Sequence, residues 1–147
     1  MEWLRGDFVI STDQDRIDVD AVHRFLCDDS YWAAAVPVDV VRRSIQNSLC
    51  FGVYLGDQQV GFARVITDYA TFAYIADVYV VTEYRRQGLA KWLMNVIREH
   101  PELQGLRRWL LVTRDAHGLY SGAGFRALEN PDRWMEIRDR DVYVVRK

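Results

Sequence analysis

The sequence predicts a mixed α/β layer fold. The apolar residues change repeatedly between the helical spacing of three to four and the strand spacing of two. One long aromatic and β-branched stretch, residues 71–81, is typical of a central strand. The predicted order is strand, helix, helix, three strands, helix, strand, helix and strand.

The amino-terminal third is predicted to contain one short strand and two helices. Residues 8–11 are typical of a strand, and Asp18 can cap a helix that begins after it. The apolar positions of this helix share one face: Val19, Val22, Phe25 and Leu26. Pro37 suits the first turn of a second helix, whose apolar stripe comprises Val38, Val41, Ile45 and Leu49.

After the second helix the apolar spacing becomes two. Residues 51–55 and 60–66 alternate on either side of the turn residues Gly56 and Asp57, which predicts an antiparallel hairpin. A further turn leads into residues 71–81, which we expect to form the central strand of the sheet.

The strongest helix signal covers residues 89–100, and Pro101 marks its end. The apolar run at 109–112 suits a buried strand parallel to the central strand. The central strand, the helix over 89–100 and this run would together form a right-handed βαβ unit. The remaining predicted elements are short: a helix over 115–123, a strand at 125–127, and weaker strand signals at 135–138 and 142–146.

Composition excludes several classes of protein. A chain of 147 residues, half of them hydrophobic, is expected to form one domain over residues 1–147. A net charge of -2 disfavours nucleic acid as a partner. Cys27 and Cys50 fit neither a metal-ligand spacing nor a disulfide framework, so we expect no metal. No secretory leader or membrane span is evident, which predicts a cytoplasmic protein without a membrane partner.

The junction between the central strand and the strongest helix is a candidate phosphate-binding loop. The first turn of a helix carries unpaired N–H groups and partial positive charge. Gly88 permits a close approach, and Ala90 keeps the helix surface small. Arg85 and Arg86 supply mobile positive charge. An ordinary helix entrance with surface arginines would explain the same residues.

A second segment makes the pattern specific. Residues 85–90 read Arg-x-x-Gly-x-Ala, and residues 116–125 read Ala-x-x-Leu-Tyr-x-x-x-Gly-Phe. In this order, separated by a helix and a strand, they resemble the GNAT superfamily of acyl-CoA-dependent N-acyltransferases. The resemblance covers about residues 50–127. It implies a mostly antiparallel twisted sheet of about six to seven strands, and acetyl transfer from acetyl-CoA to a primary amine of a small molecule or peptide.

The resemblance also implies where acetyl-CoA binds: in the cleft where the central strand parts from the next parallel strand. The pantetheine arm would pair with the backbone of Tyr79, Val80 and Val81. The pyrophosphate would meet the helix entrance, whose residues are Arg85, Arg86, Gln87, Gly88, Leu89 and Ala90. Asp115 departs from the family pattern, since many members have a cofactor-contacting Asn there, and we expect it to cap the short helix.

Two residues are candidates for catalysis. Tyr120 matches the tyrosine that in many family members lies near the thioester sulfur, where a phenol can protonate the departing thiolate; a packing role is the alternative. The N–H of Val80 is the expected oxyanion donor. Asp77 lies on the side of the central strand shared by Tyr79, and it could accept a proton from the amine or pair with Arg64. The residues leave both roles of Asp77 open.

The acceptor is expected to bind between the first two helices and the sheet. There Asp28 and Asp29 precede Tyr31 and Trp32, a combination of carboxylates and aromatic faces suited to a cationic amine. A capped helix end with Trp32 in the core would also fit. Residues 134–137 could wall the same pocket or complete the sheet.

Direct attack of the amine in a ternary complex is the expected mechanism, and a homodimer is expected from the resemblance alone. Two other functions remain open: a non-catalytic regulatory module that binds acetyl-CoA or CoA, and a nucleotide-binding regulator.

Overall fold

A computed structural model of the protein describes residues 1–31 and 33–144. The described chain forms a six-stranded sheet whose strands lie in chain order. These strands are β1 (Glu2–Arg5), β2 (Phe8–Ser11), β3 (Leu49–Leu55), β4 (Gln58–Thr67), β5 (Phe72–Val80) and β6 (Arg108–Leu111). The α-helices in the same part of the chain are α1 (Val19–Asp28), α2 (Val38–Gln46), α3 (Leu89–Glu99) and α4 (His117–Gly122).

Neighbouring strands are antiparallel from β1 to β5, whereas β5 and β6 are parallel. The parallel pair follows from the crossover through α3, which returns the chain to the starting end of β5. This arrangement confirms the predicted mixed, mostly antiparallel sheet and its βαβ unit. It also leaves β6 as the last strand of the sheet.

Helices cover both faces of the sheet. One buried cluster lies under α1 and α2, which contribute Val22, Leu26, Val41 and Ile45. The other buried cluster lies under α3, which contributes Leu89, Leu93, Met94, Val96 and Ile97. Side chains alternate across a strand, so at the end of β5 the neighbours Tyr79 and Val80 belong to different clusters.

Local sequence explains where the helices begin. The Asp18 side chain accepts a hydrogen bond of 3.0 Å from the Ala21 N–H, which confirms the predicted cap of α1. Pro37 precedes the first residue of α2, as expected. Leu49 does not extend this helix, because α2 ends at Gln46 and Leu49 begins β3. No helix of the described residues is long and apolar enough to cross a membrane.

The sequence did not predict β1. This strand pairs with β2 and places Trp3 against the core, with its ring centroid 6.2 Å from that of Phe51 and 5.8 Å from that of His100. The rest of β1 is exposed. A four-residue strand with one inward side chain has no periodicity to detect.

The predicted strands after α4 are absent from the described chain. Residues 125–127 and 135–138 belong to no strand, and residues 142–144 form a turn. Residues 145 and 146 lie outside the described residues. Those segments have strand-like composition, but a strand also needs a neighbour with which to exchange hydrogen bonds, and they pair with no part of the described chain.

Replacing Leu93 by alanine should destabilise the protein by about 2–5 kcal/mol, because it leaves a cavity in the cluster under α3. Leu93 is fully buried there. The same substitution at Leu4, which is 75% exposed on β1, is the matched control and should change stability by less than about 0.5 kcal/mol. Urea unfolding measures both changes. Equal losses at the two positions would contradict the core assignment.

Candidate active site

A cleft opens where β6 diverges from β5. The last paired residues of these strands are Ile75 and Leu111, and β5 then continues to Val80 without β6. On its other side, β5 stays paired with β4, through Tyr79 opposite Phe62. The second half of β5 therefore presents one unpaired backbone edge to the cleft.

A β-bulge lies at the start of this divergence. Arg64 pairs with Ala76, and Phe62 pairs with Tyr79. The advance from Ala76 to Tyr79, three residues along β5, therefore lies opposite an advance of only two residues along β4. Asp77 lies within the extra step and has φ 55°, in the left-handed region that aspartate tolerates better than most residues. A bulge bends its strand and increases the twist, which turns the end of β5 away from β6.

The polar groups of Val80 face the open edge. The Val81 N–H donates to the Val60 carbonyl at 2.8 Å, on the β4 side. Because backbone groups alternate along a strand, the N–H and C=O of Val80 point to the opposite side. The Arg85 side chain donates through Nε to this carbonyl at 2.8 Å, which brings its guanidinium to the edge of the cleft.

The start of α3 adjoins this edge. Gly88 precedes the helix with φ 77°, and no side chain of the described residues caps the helix there. The first intrahelical bond joins the Trp92 N–H to the Gly88 carbonyl at 3.0 Å, so the N–H groups of residues 89–91 have no partner within the helix. Together with the helix dipole they favour an anion at this position.

Arg5 holds the loop before α3, a role that no sequence pattern predicted. Its guanidinium donates to the Gln87 carbonyl at 2.6 Å and to the Gly88 carbonyl at 3.0 Å. These contacts join residues 82 and 83 positions apart, so no local pattern reveals them. The two hydrogen bonds orient the Gln87 and Gly88 carbonyls toward β1.

The Tyr79 side chain is buried and packs against α1. The ring stacks on Phe25 of α1 with centroids 3.7 Å apart and planes 10° from parallel. Burial raises the pKa of the Tyr79 phenol above its usual range. The stacking ties α1 to β5 beside the open edge.

Tyr120 lies on α4, partly buried against the cluster under α3. Its ring meets Phe125 edge-on, with centroids 6.1 Å apart. Burial raises the pKa of Tyr120 to about 12, and smaller contributions come from Tyr31 and Asp115. The phenol therefore remains protonated at neutral pH and has a proton to donate.

Tyr31 connects the loop after α1 with the turn after β6. Its hydroxyl accepts a hydrogen bond of 3.0 Å from the Arg114 N–H, and the Arg114 guanidinium lies 3.7 Å from its ring centroid. Tyr31 also contributes to the raised pKa of Tyr120. The other residue predicted for the acceptor site, Trp32, lies outside the described residues.

Asp77 forms the ion pair that was one of its two predicted roles. Arg64 Nε lies 2.9 Å from Asp77 Oδ2, and the two side chains are only 15% and 10% exposed. The same guanidinium donates to Ser48 Oγ at 3.2 Å. This pair links β4 and β5 directly across the bulge.

Asp115 does not cap the short helix, contrary to expectation. Helix α4 begins two residues later, at His117. The Thr113 hydroxyl accepts a hydrogen bond of 3.0 Å from the Ala116 N–H instead. The Asp115 carboxylate is exposed and lies 3.7 Å from Arg114 Nη2.

Comparison with known proteins identifies the class to which this fold and cleft belong. The family model described as the acetyltransferase (GNAT) family matches residues 19–125. This chain belongs to that family. A candidate acetyltransferase of Gibberella zeae is 34% identical in an alignment that covers 80% of this chain and 78% of the relative.

Solved structures agree. A candidate GNAT acetyltransferase from Xanthomonas campestris pv. campestris is 46% identical, with a TM-score of 0.91 over 94% of this chain and 97% of that one. A candidate acetyltransferase from Clostridium acetobutylicum, solved with acetyl-CoA, has 17% identity and a TM-score of 0.68 over 89% and 94%. The second likeness supports the fold alone.

Replacing Arg5 by alanine should weaken acetyl-CoA binding about fivefold, because two hydrogen bonds that hold the loop before α3 are lost. Calorimetric titration with acetyl-CoA measures the effect. Arg42→Ala, which removes an exposed arginine paired with Asp39 on α2, is the control and should leave the affinity unchanged. Equal affinity in both variants would show that Arg5 does not position the loop.

Proposed function

We propose that the protein is an N-acetyltransferase that moves the acetyl group of acetyl-CoA to a primary amine of a small molecule or peptide. One observation carries this proposal: the unpaired edge of β5 leads directly to the uncapped start of α3. An extended acyl arm and its pyrophosphate would need such a pair of sites in this order. Membership of the GNAT family supports the same reaction class.

The residues present fit acetyl-CoA. Of the three residues expected to bind the pantetheine arm, Val80 offers its N–H to a strand-like hydrogen bond on the open edge. Tyr79 is paired with Phe62 of β4, and the Val81 N–H donates to the Val60 carbonyl. Anionic phosphates would be bound by the helix entrance, formed by Arg85, Arg86, Gln87, Gly88, Leu89 and Ala90. Glycine suits position 88, since a Cβ in its left-handed conformation would be strained and would lie 3.3 Å from Arg5 Nη2.

Acetyl-CoA supplies an activated acyl group as a thioester. We assign the Val80 N–H to the negative charge that develops on the thioester oxygen, because this donor faces the open edge and is fixed by the sheet. Tyr120 is assigned as the acid that protonates the departing sulfur. Its pKa of about 12 keeps the phenol protonated at neutral pH, so it can donate to the sulfur as negative charge develops there.

We assign Asp77 a structural role rather than that of the general base. Accepting a proton would cost this carboxylate its ion pair with Arg64, at a site where both side chains are largely buried. The acceptor then enters as the neutral amine, its proton having passed to water. Binding both reactants in one cleft provides much of the acceleration.

The acceptor is proposed to bind beside Tyr31. This residue lies at the meeting point of the loop after α1 and the turn after β6, within electrostatic reach of Tyr120. Asp28 and Asp29 are exposed just before it, and their charge favours a cationic amine near the entrance.

A panel of amines and peptides, followed by thiol release from acetyl-CoA, tests the proposal. Turnover with at least one primary amine is expected. Calorimetric binding of acetyl-CoA without turnover across the panel would support the regulatory module instead. Absence of binding at millimolar acetyl-CoA would overturn both functions.

Tyr120→Phe should lower kcat about 100-fold while leaving acetyl-CoA affinity unchanged, because only the proton donor is lost. Because the pKa of the Tyr120 phenol is raised to about 12, the phenol is protonated and can donate below about pH 12, and it loses this proton above that pH. The wild-type rate should therefore show no loss due to Tyr120 between pH 7 and 10. An unchanged kcat in the variant would remove Tyr120 from the mechanism.

Asp77→Asn should destabilise the protein by about 3 kcal/mol, because it leaves the Arg64 charge unpaired among largely buried groups. The pH profile of the remaining activity should keep its shape. Chemical unfolding and pH–rate measurements on the same preparation check both statements. A shift of the acidic limb toward alkaline pH, with stability retained, would indicate that Asp77 is the base.

A further inference from the structure

A hollow of about 760 Å³ lies at the end of β6 opposite to the cleft. It adjoins the first residue of this strand, Arg108, whereas the cleft opens beyond the last pair of strands β5 and β6, Ile75 with Leu111. Residues near the end of α3, at the start of β6 and after α4 line it. Cavities of roughly 300–1,000 Å³ are typical of small-molecule sites. We call this space the basic hollow, because of the side chains that surround it.

Arginines dominate the lining of the basic hollow. They come from three separate parts of the chain, and they are Arg98, Arg107, Arg108, Arg126 and Arg133. Glu129 is the one carboxylate among the described residues of the lining, so five arginines and one glutamate give a formal charge of +4. The whole chain has a net charge of -2. Positive charge is therefore concentrated at this place.

Two of the five guanidinium groups are held against tryptophan rings. The Arg98 guanidinium lies 4.7 Å from the Trp109 ring centroid, and its Nε donates to the Ala123 carbonyl at 3.2 Å. The Arg108 guanidinium lies 4.8 Å from the Trp134 ring centroid. Stacking on an indole restricts an arginine side chain without using its N–H groups in hydrogen bonds. Both groups are therefore partly ordered before a ligand binds.

Most N–H donors of these arginines have no partner in the part of the chain that the structure describes. A guanidinium carries five N–H donors. Arg98 uses its Nε–H, and the side chains of the other four arginines form no hydrogen bond or ion pair with the described residues. Like charges that share one hollow repel each other. An anion that accepts hydrogen bonds from several of them would relieve this repulsion.

We propose that the basic hollow binds a small molecule that carries two or more phosphate groups. A guanidinium presents its N–H groups as a planar fork, which can donate two parallel hydrogen bonds to the oxygen atoms of one phosphate. A lining charge of +4 is better neutralised by a multiply charged ligand than by a monoanion. The volume of the hollow suits a small molecule rather than a polymer.

This site is separate from the proposed phosphate position of acetyl-CoA. Gly88 precedes α3, and Arg98 is the penultimate residue of the same helix. With 11 residues, α3 is about 16 Å long, so one pyrophosphate cannot occupy both ends. The proposal for the basic hollow therefore does not rest on the proposed function, and the two can fail independently.

Tryptophan indole signals report on the two sites separately. Trp109 and Trp134 line the basic hollow, whereas the Trp92 ring centroid on α3 lies 5.7 Å from the Arg5 guanidinium. We propose to titrate the ¹⁵N-labelled full chain with pyrophosphate at constant ionic strength, observed by nuclear magnetic resonance. The Trp109 and Trp134 indole signals should shift saturably, with a dissociation constant below about 1 mM. Inorganic phosphate should bind there at least about tenfold more weakly, because it offers one phosphate group.

Replacing Arg107 and Arg126 together by glutamine should raise the dissociation constant measured at Trp109 and Trp134 at least about tenfold, because two charged donors are lost. Both arginines are exposed, so the substitutions should not unfold the protein, which circular dichroism verifies. The matched control, Arg42→Gln with Arg43→Gln, removes the same charge from exposed positions on α2. It should change the constant less than about twofold.

Several results would overturn the proposal. One is the absence of shifts at Trp109 and Trp134 at about 10 mM pyrophosphate. Another is equal weakening in the two double variants, which would indicate a general effect of charge. Equal affinity for phosphate and pyrophosphate would show that one anionic group is sufficient. Shifts confined to Trp92 would support the phosphate position at the start of α3 and exclude the basic hollow, whereas shifts confined to Trp109 and Trp134 would do the reverse.

Discussion

The separation of β6 from β5 after Ile75 is the constraint on which the rest of the structure depends. While the two strands are paired, β5 is an ordinary inner strand, held on both sides. Beyond that point the bulge at Asp77 turns it, and its backbone becomes available to a ligand without any side chain being committed. The Arg64–Asp77 ion pair stabilises this distorted section, which is why we place Asp77 in the scaffold rather than in the chemistry.

Other parts of the chain hold the two ends of the cleft. Phe25 stacks on Tyr79 from one face, Arg5 holds the loop before α3, and Tyr31 meets Arg114 after β6. Each of these contacts involves an aromatic ring or a guanidinium group. Although the net charge of the protein is only -2, positive charge and helix N–H groups are concentrated at the start of α3.

Local patterns predicted much of this architecture. Helix α3 and the β3–β4 hairpin were predicted because their periodicities are long and their ends carry Gly88 and Gly56. The bulge was not predicted, because a left-handed aspartate looks like any strand residue in the sequence. The role of Arg5 was not predicted, because the carbonyls it contacts lie 82 and 83 positions away in the sequence. The strand signal at 135–138 is a different case: its composition is strand-like, but no strand of the described chain pairs with it.

The span of the contacts made by Arg5 has a consequence for how the chain acquires its structure. Arg5 leaves the ribosome early, but its acceptors at Gln87 and Gly88 follow only after four more strands and two helices have been made. Closing so long a loop is entropically costly, and folding rates fall as such distant contacts accumulate. The end of the cleft that Arg5 holds therefore depends on contacts that cannot close until Gln87 and Gly88 have been made, whereas the β3–β4 hairpin depends on local contacts. In our proposal, a nascent chain that ends before Gln87 therefore cannot be stabilised by acetyl-CoA at this position.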